Sequence, residues 1–358
     1  SYTLTADVSD AAGNAAAQVT SSAFSVDTSA PTVLYVTAAE NNGTFKAGDV
    51  INISARFSEV ITVSVDTPHL TLSVGSAYDV DYNSGSTTEY LNFQYTVQAG
   101  HTSADLDYVA TNSLDANGAT IVDDAGNTAI LTLATPGETN SLGSAKEFVI
   151  DTTAPTITGT TLAANNSTIS VTLSEAVYDT NGGSGALEVS DFALSISGGS
   201  ATVSATPSSI SSSGNVYTLG LSLSGTPNGS ETLTVKPVIS SIYDAIGNAA
   251  STTQSNNTVT LYDKAAPVIS AIATSAFSWA AVLNATEDNS NGTVTVTTSG
   301  AEDGQTVTIT LNSATYTASV SSNSAAVTVS AAGLQALTDG SSYTLTADVS
   351  DAAGNAAA

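Results

Sequence analysis

Apolar and polar residues alternate with a period of two along much of this chain, the pattern of strands with one face in a core and one toward solvent. Within Ser1–Val8, the residues Tyr2, Leu4, Ala6 and Val8 share a face, and Gln18–Val26 reads as a second strand. Val33–Val36, Val50–Phe57 (with Ile51, Ile53 and Ala55 on one face), Tyr90–Val97 and Phe148–Ile150 follow. Beyond them come Ile169–Leu173, Tyr217–Leu223 and Leu233–Val238, then Val294–Val296, Val307–Leu311, Tyr316–Val320 and Ala326–Val329. Turn pairs lie between them: Asn42-Gly43, Gly182-Gly183, Gly198-Gly199, Asn228-Gly229 and Asn291-Gly292. One helical turn is expected at Ala332–Leu337. The pattern predicts an all-β protein.

A recurring seam divides the strands. Asp27-Thr28-Ser29-Ala30-Pro31 returns as Asp151-Thr152-Thr153-Ala154-Pro155 and, altered, as Asp263-Lys264-Ala265-Ala266-Pro267. A loop of the form Asp-x-x-Gly-Asn precedes each seam, at Asp10–Asn14, Asp123–Asn127 and Asp244–Asn248, and a fourth stands at Asp351–Asn355. Residues 1–17 and 342–358 are identical, an offset of 341 residues. Such self-similarity marks a repeat array. The seams divide that unit into spans near the roughly 100 residues of an immunoglobulin-like sandwich. The expectation is a linear array of tandem immunoglobulin-like β-sandwiches: the closing strands of a preceding domain in 1–27, then domains over 28–151, 152–263 and 264–358. The last is expected to lack its final strand, which residues 15–27 represent in the repeat. Tandem continuation is the simpler way to supply that strand, and donation between chains the other.

Composition sharpens this picture. The 358 residues carry 32 acidic side chains against 5 Lys and Arg, a net charge of −27. That balance opposes nucleic acid and anionic membranes as partners and suits multivalent cations. With no Cys, disulfides play no part. With no Met, no signal peptide and no long apolar run, the chain reads as a window of a longer protein without membrane insertion.

Sandwich topology predicts where the acids collect. The end of the second strand of a domain, its last loop and its incoming linker should share one pole. For the first complete domain these are Glu59, Asp123, Asp124 and Asn127, and Asp27. For the second they are Glu175, Asp244 and Asn248, and Asp151. For the third they are Glu302, Asp303, Asp351 and Asn355, and Asp263. Packed carboxylates repel unless a cation sits between them. Ca2+ fits, because it takes six to eight oxygens in loose geometry. The absence of Cys and the presence of only two His oppose zinc and copper. A single Asp-x-x-Gly-Asn is equally the composition of an ordinary turn; its repetition beside a Glu and a linker Asp carries the cation reading.

Other motifs are weaker. Asp79–Gly85 imitates the start of an EF-hand loop, but its Gly is one place late and Tyr90 stands at the twelfth position, so a hairpin turn is expected. His69 and His101 lack an acidic partner at useful spacing. Trp279, near Phe277, reads as core or interface rather than as a platform for sugar. No Gly-x-Ser-x-Gly, phosphate loop or His-Glu-x-x-His is present, which points away from an enzyme.

The whole set resembles the tandem bacterial immunoglobulin-like and cadherin-like repeats of giant secreted surface proteins, including RTX-type adhesins and swimming-motility surface proteins. In residues 31–155 the resemblance rests on Lys46–Ile51, Phe57-Ser58-Glu59-Val60, Asp105-Leu106-Asp107-Tyr108 and Asp123–Asn127. In 156–267 it rests on Leu173–Val177 and Tyr243–Asn248, and in 268–358 on Gly300–Gly304 and Tyr343–Asn355. Lys264 departs from the pattern. The resemblance implies sandwich extender domains, interdomain Ca2+ and export to the bacterial cell surface. The expected role is a structural extender of a long adhesin or fibre. Its partners would be adjacent repeats, with neighbouring chains as a further option, and the adhesive ligand is expected outside this window. The alternatives are a self-assembling filament or surface-layer subunit and, less well supported by aromatics, a carbohydrate-binding module.

Overall fold

The computed structural model describes residues 1–357 and is almost entirely β. It comprises two compact units: Ser1–Ala154 with Ile246–Asn248, and Pro155–Ala245 with the residues from Ala249 onward.

The first unit is built around the strand Val50–Ser64. Its inward residues Ile51, Ile53, Ala55 and Phe57 are fully buried, as the alternation requires. Val33–Ala38 pairs along one edge and Thr88–Thr96 along the other. The register with Thr88–Thr96 breaks between Arg56 and Ile61, Ile61 pairs again with Thr88, and beyond the end of the Val33–Ala38 pairing at Phe57 the residues Thr62, Val63 and Ser64 pair with Val122, Ile121 and Thr120. This corrects the expectation that the strand ends at Glu59. The chain continues through a wide bulge, where Phe57–Val60 stand against Glu89 alone, and such an insertion bends the strand and re-aims its side chains. Phe148–Asp151 pairs in parallel with Gly43–Phe45 and antiparallel with Thr102–Ser103. These elements enclose one core, with Phe57, Phe93, Tyr95, Tyr108 and Phe148 almost wholly buried. Asp79–Ser84 is strand, part of Ala77–Ser84, and not the expected turn; the reversal follows at Gly85. A short helix, Leu142–Ala145, had no periodic signal, and the Ser141 side chain caps it through the Ser144 N–H. Residues 1–27 form only a small hairpin, with Thr5–Ala6 paired to Val19–Thr20 and bridges Tyr2↔Phe24 and Ser9↔Ala15. The longer strands expected there are absent, because no core lies under them.

The second unit contains two cores. In the first, one sheet runs in the order Ile157–Leu162, Thr168–Leu173, Val216–Gly220, Ile210–Ser213, and the other in the order Phe192–Ser197, Thr232–Pro237, Thr258–Thr260. Ile169 and Leu219 from one sheet meet Phe192 and Leu233 from the other. In the second, Gly292–Ser299 pairs with Ser324–Val329, and Thr306–Leu311 lies between Ala314–Ser319 and Leu345–Asp348. Val294, Val307, Ile309 and Val327 are its centre. Trp279 stacks on Phe277, with centroids 5.3 Å apart, and both pack against this core. A short helix, Ala331–Gln335, stands where one turn was expected.

Candidate metal centre

The four Asp-x-x-Gly-Asn loops share one construction. Each is pinched by an isolated bridge: Ser9↔Ala15, Val122↔Thr128, Tyr243↔Ala249 and Ser350↔Ala356. The Gly adopts a positive φ in every copy, between 87° and 96° at Gly13, Gly126, Gly247 and Gly354, which L side chains seldom tolerate. In the Asp123 loop the Asn127 N–H donates to Asp123 Oδ1 at 2.8 Å, and Asn127 Nδ2 donates to Asp123 Oδ2 at 2.8 Å. The Asp10–Asn14 and Asp351–Asn355 loops repeat both bonds. Burial pushes the Asp123 carboxyl up, but these donors outweigh it and hold the group below its usual range.

The linkers are also alike. Asp27, Asp151 and Asp263 each accept the N–H two residues on, from Ser29, Thr153 and Ala265. The prolines behind them, Pro31, Pro155 and Pro267, are buried. Asn127 Nδ2 also reaches the backbone oxygen of Asp27, at 3.3 Å, and Asn248 Nδ2 reaches that of Asp151, at 3.0 Å. The Asn therefore acts as a donor that ties loop to linker. The Ser before each Glu contributes as well, since Ser58 Oγ accepts from Thr32 N–H and Ser174 Oγ from Thr156 N–H. Sequence reasoning missed this role, although the Leu/Phe-Ser-Glu repeat carried its signal.

At the first seam the loop, the bulge and the linker converge. Asp27, Glu59 and Asp123 place carboxylate oxygens within 4.8 Å of one another. Burial raises the Glu59 carboxyl above its ordinary value, and the charges of Asp27 and Asp123 add to the rise. Three anions thus face one point with no cationic side chain in the set. The donors are all hard oxygens. With Ca–O distances of roughly 2.3–2.6 Å, two ligands of one ion stand at most about 5 Å apart, so the spacing fits Ca2+. Asp124 is exposed and stays outside the group.

The other predicted residues distribute differently. In the second unit, Asp244 is buried and Glu175 half-buried. Further along that unit, Glu302 Oε2 accepts the Ala352 N–H at 2.8 Å, so Glu302 does meet the last loop. Asp303 instead accepts from Ser322 N–H at 2.7 Å, which fixes the turn bridged by Ser321 and Ser324. Among the described residues, Asp263, Glu302 and Asp351 do not gather as the first set does. A further acidic group lay outside the sequence expectation. Asp191 is buried and its carboxyl is pushed up by burial and by Asp179 and Glu188, against the Glu188 N–H that it accepts.

No protein-family model matches the chain, and no curated protein does. The solved structures similar to it include two adhesins. One is from a 1.5-MDa bacterial ice-binding adhesin studied for retention at the host cell surface; it is 18% identical, over 91% of this chain and 95% of the other, with a TM-score of 0.29. The other is a Ca2+-stabilized adhesin with which an Antarctic bacterium binds ice; it is 22% identical, over 99% of this chain and 78% of the other, with a TM-score of 0.26. Both are bacterial adhesins, the class that the sequence resembles. At such TM-scores the superpositions carry no argument about residues or ligands.

Proposed function

We propose that this chain is a non-enzymatic extender segment of a large, secreted bacterial surface adhesin, stiffened by Ca2+ at its seams. The gathering of Asp27, Glu59 and Asp123 carries the reading. An ion held by the three joins the linker to the body of the following domain and restrains the hinge at Asp27–Pro31. Asp123 and Glu59 would be the fixed ligands, one locked by its loop and the other set on the bulge. Asp27 would supply the closing ligand from the linker. The domains would be tandem immunoglobulin-like sandwiches over 28–151, 152–263 and 264–358. The two sheets around Ile169 and Phe192 support this, because their order is that of a constant-type immunoglobulin sandwich. Asp151, Glu175, Asp244 and Asn248 would serve the second seam; Asp263, Glu302, Asp351 and Asn355, which do not gather as the first set does and stand beside Lys264, would hold an ion less tightly.

The test is calorimetric Ca2+ titration and thermal melting of the full chain, with small-angle scattering in Ca2+ and in chelator. Extracellular Ca2+ modules bind at about 10⁻⁴–10⁻³ M. At ten times Kd each site adds about 1.4 kcal/mol. Chelation should lower the melting temperature and broaden the distribution of dimensions. Unchanged melting and scattering would sink the proposal and leave the loops as turns.

A further inference from the structure

Asp179, Glu188 and Asp191 belong to none of the seams, yet the fold of the second unit assembles them. Their neighbours Val177, Leu187, Phe192 and Ile242 are buried in one core. Tyr178 is bridged to Tyr243, and the Asp191 carbonyl accepts the Val238 N–H at 2.8 Å and the Ser241 hydroxyl at 3.2 Å. The segment 238–243 therefore anchors Asp179 and Asp191 on the same side of that core. The loop between them turns through Gly182, Gly183 and Gly185, all at positive φ, and is pinched by the bridge Thr180↔Ser184. Gly185 lies directly on Asp179, where a Cβ would collide with Oδ1.

The charge enclosed there is unbalanced. Asp179 Oδ1 is shut off from solvent and receives no hydrogen bond. Asp191 is 7% exposed; its Oδ2 accepts the Glu188 N–H at 2.6 Å, and no donor among the described residues reaches its Oδ1. Among the described residues, neither carboxylate pairs with Lys, Arg or His. Asp123 offsets its burial with the donors of Asn127, but Asp179 has no such donors. A buried carboxylate oxygen without a partner is costly, and a second buried acid beside it adds repulsion.

We infer that Asp179 and Asp191 hold a Ca2+ ion beside this core, with the exposed Glu188 turning in as a third carboxylate. The three do not gather as Asp27, Glu59 and Asp123 do, so Glu188 closes the site by a change of rotamer. The donors are hard oxygens on a glycine-rich loop, and Ca2+ accepts six to eight of them in loose geometry, whereas Mg2+ demands a near-ideal octahedron. The ion fixes the loop of residues 180–184. Gly183 in that loop stands against Ala245, since a Cβ there would lie 2.6 Å from the Ala245 carbonyl oxygen. The ion thus braces the Asp244 loop from behind without using its ligands. This site stands apart from the seams, because no seam residue belongs to it.

The test is hydrogen–deuterium exchange of the full chain in Ca2+ and in chelator, read by mass spectrometry on peptides covering residues 179–191. At ten times Kd, exchange there should slow about tenfold. The protection should persist in Glu59→Gln and in Asp151→Asn, each of which removes a seam ligand, and vanish in Asp179→Asn. Asp191→Asn should repeat that loss if Asp179→Asn does not fold. Exchange that Ca2+ leaves unchanged in the wild-type chain would overturn the inference. Protection that survives Asp179→Asn would overturn it too, as would protection lost in Asp151→Asn, which assigns the ion to the second seam. Protection at 179–191 with none around Asp123 would support this site while removing the ion from the first seam.

Discussion

Glu231 has no exposed surface, yet it is a charged side chain with strong local support. Its Oε1 accepts from the Ser200 and Ala201 N–H groups at 2.8 and 3.0 Å, and its Oε2 accepts from Asn228 N–H at 3.0 Å. Burial pushes this carboxyl up, but the amide donors prevail and hold it below its ordinary value. Gly199 makes the room, since a Cβ there would collide with the Glu231 carboxylate. Glu231→Ala orphans three amides and should cost about 3 kcal/mol in denaturant unfolding. Because the folded pKa is the lower one, this contribution is complete above the unfolded value near 4.3 and fades as pH falls through the folded value. A wild-type stability that loses nothing extra over the variant's as pH drops through that window would contradict the assignment. Glu59 is the opposite case, its carboxyl raised by burial and by two neighbouring charges. Glu59→Gln should therefore raise the melting temperature in chelator and shrink the increase produced by Ca2+. A variant that melts lower in both conditions would show a purely structural role. Glu231 had no signal in the sequence. Only the Gly198-Gly199 and Asn228-Gly229 turns were legible, and the bonds between them arise from the fold.

At the scale of elements, the loops and linkers were the most legible features, because their chemistry is local. Asp-x-x-Gly-Asn closes on itself through bonds that span four residues, so one copy specifies its own geometry. Gly126 has φ of +90° and open space at its Cβ position, which makes its role conformational alone. Gly126→Ala should cost about 1–2 kcal/mol of loop strain and weaken Ca2+ binding, both measurable by melting and calorimetry. Gly43, which has ordinary φ and equal space, is the control that should tolerate Ala. The long strand Val50–Ser64 was half legible. Its buried face through Phe57 follows the period of two, but the bulge between Arg56 and Ile61 does not appear in any local pattern. The expected turn at Asp79–Gly85 failed for a related reason. Asp79 and Asp81 pair with Thr71 and His69, and Val80 turns inward between them, so strand pairing outweighed a turn-like composition.

For the whole molecule, the charge of −27 predicts a general response to salt as well as a specific one to Ca2+. Monovalent salt shortens the Debye length to about 8 Å at physiological strength and relieves distant repulsion smoothly. A Ca2+ response that saturates, and exceeds that of NaCl at matched ionic strength, separates a site from screening. Melting curves that coincide at matched ionic strength would reduce the acidic seams to a charged surface. The alternating faces of the core strands, the Asp-x-x-Gly-Asn loops, the three seams, the 341-residue repeat and the inventory of oxygen donors were determined by the sequence alone, because each depends on residue type and short spacing. Which carboxylates meet was decided by tertiary structure. Glu59 comes to Asp123 because it stands on a bulge directly before the residues that pair with Thr120–Val122, and Asp27 joins them because Asn127 holds its carbonyl. Asp303, equal to the others by composition, was drawn instead to the Ser322 amide. Convergence of this kind depends on register between segments distant in sequence, and register is set by the packing of the core.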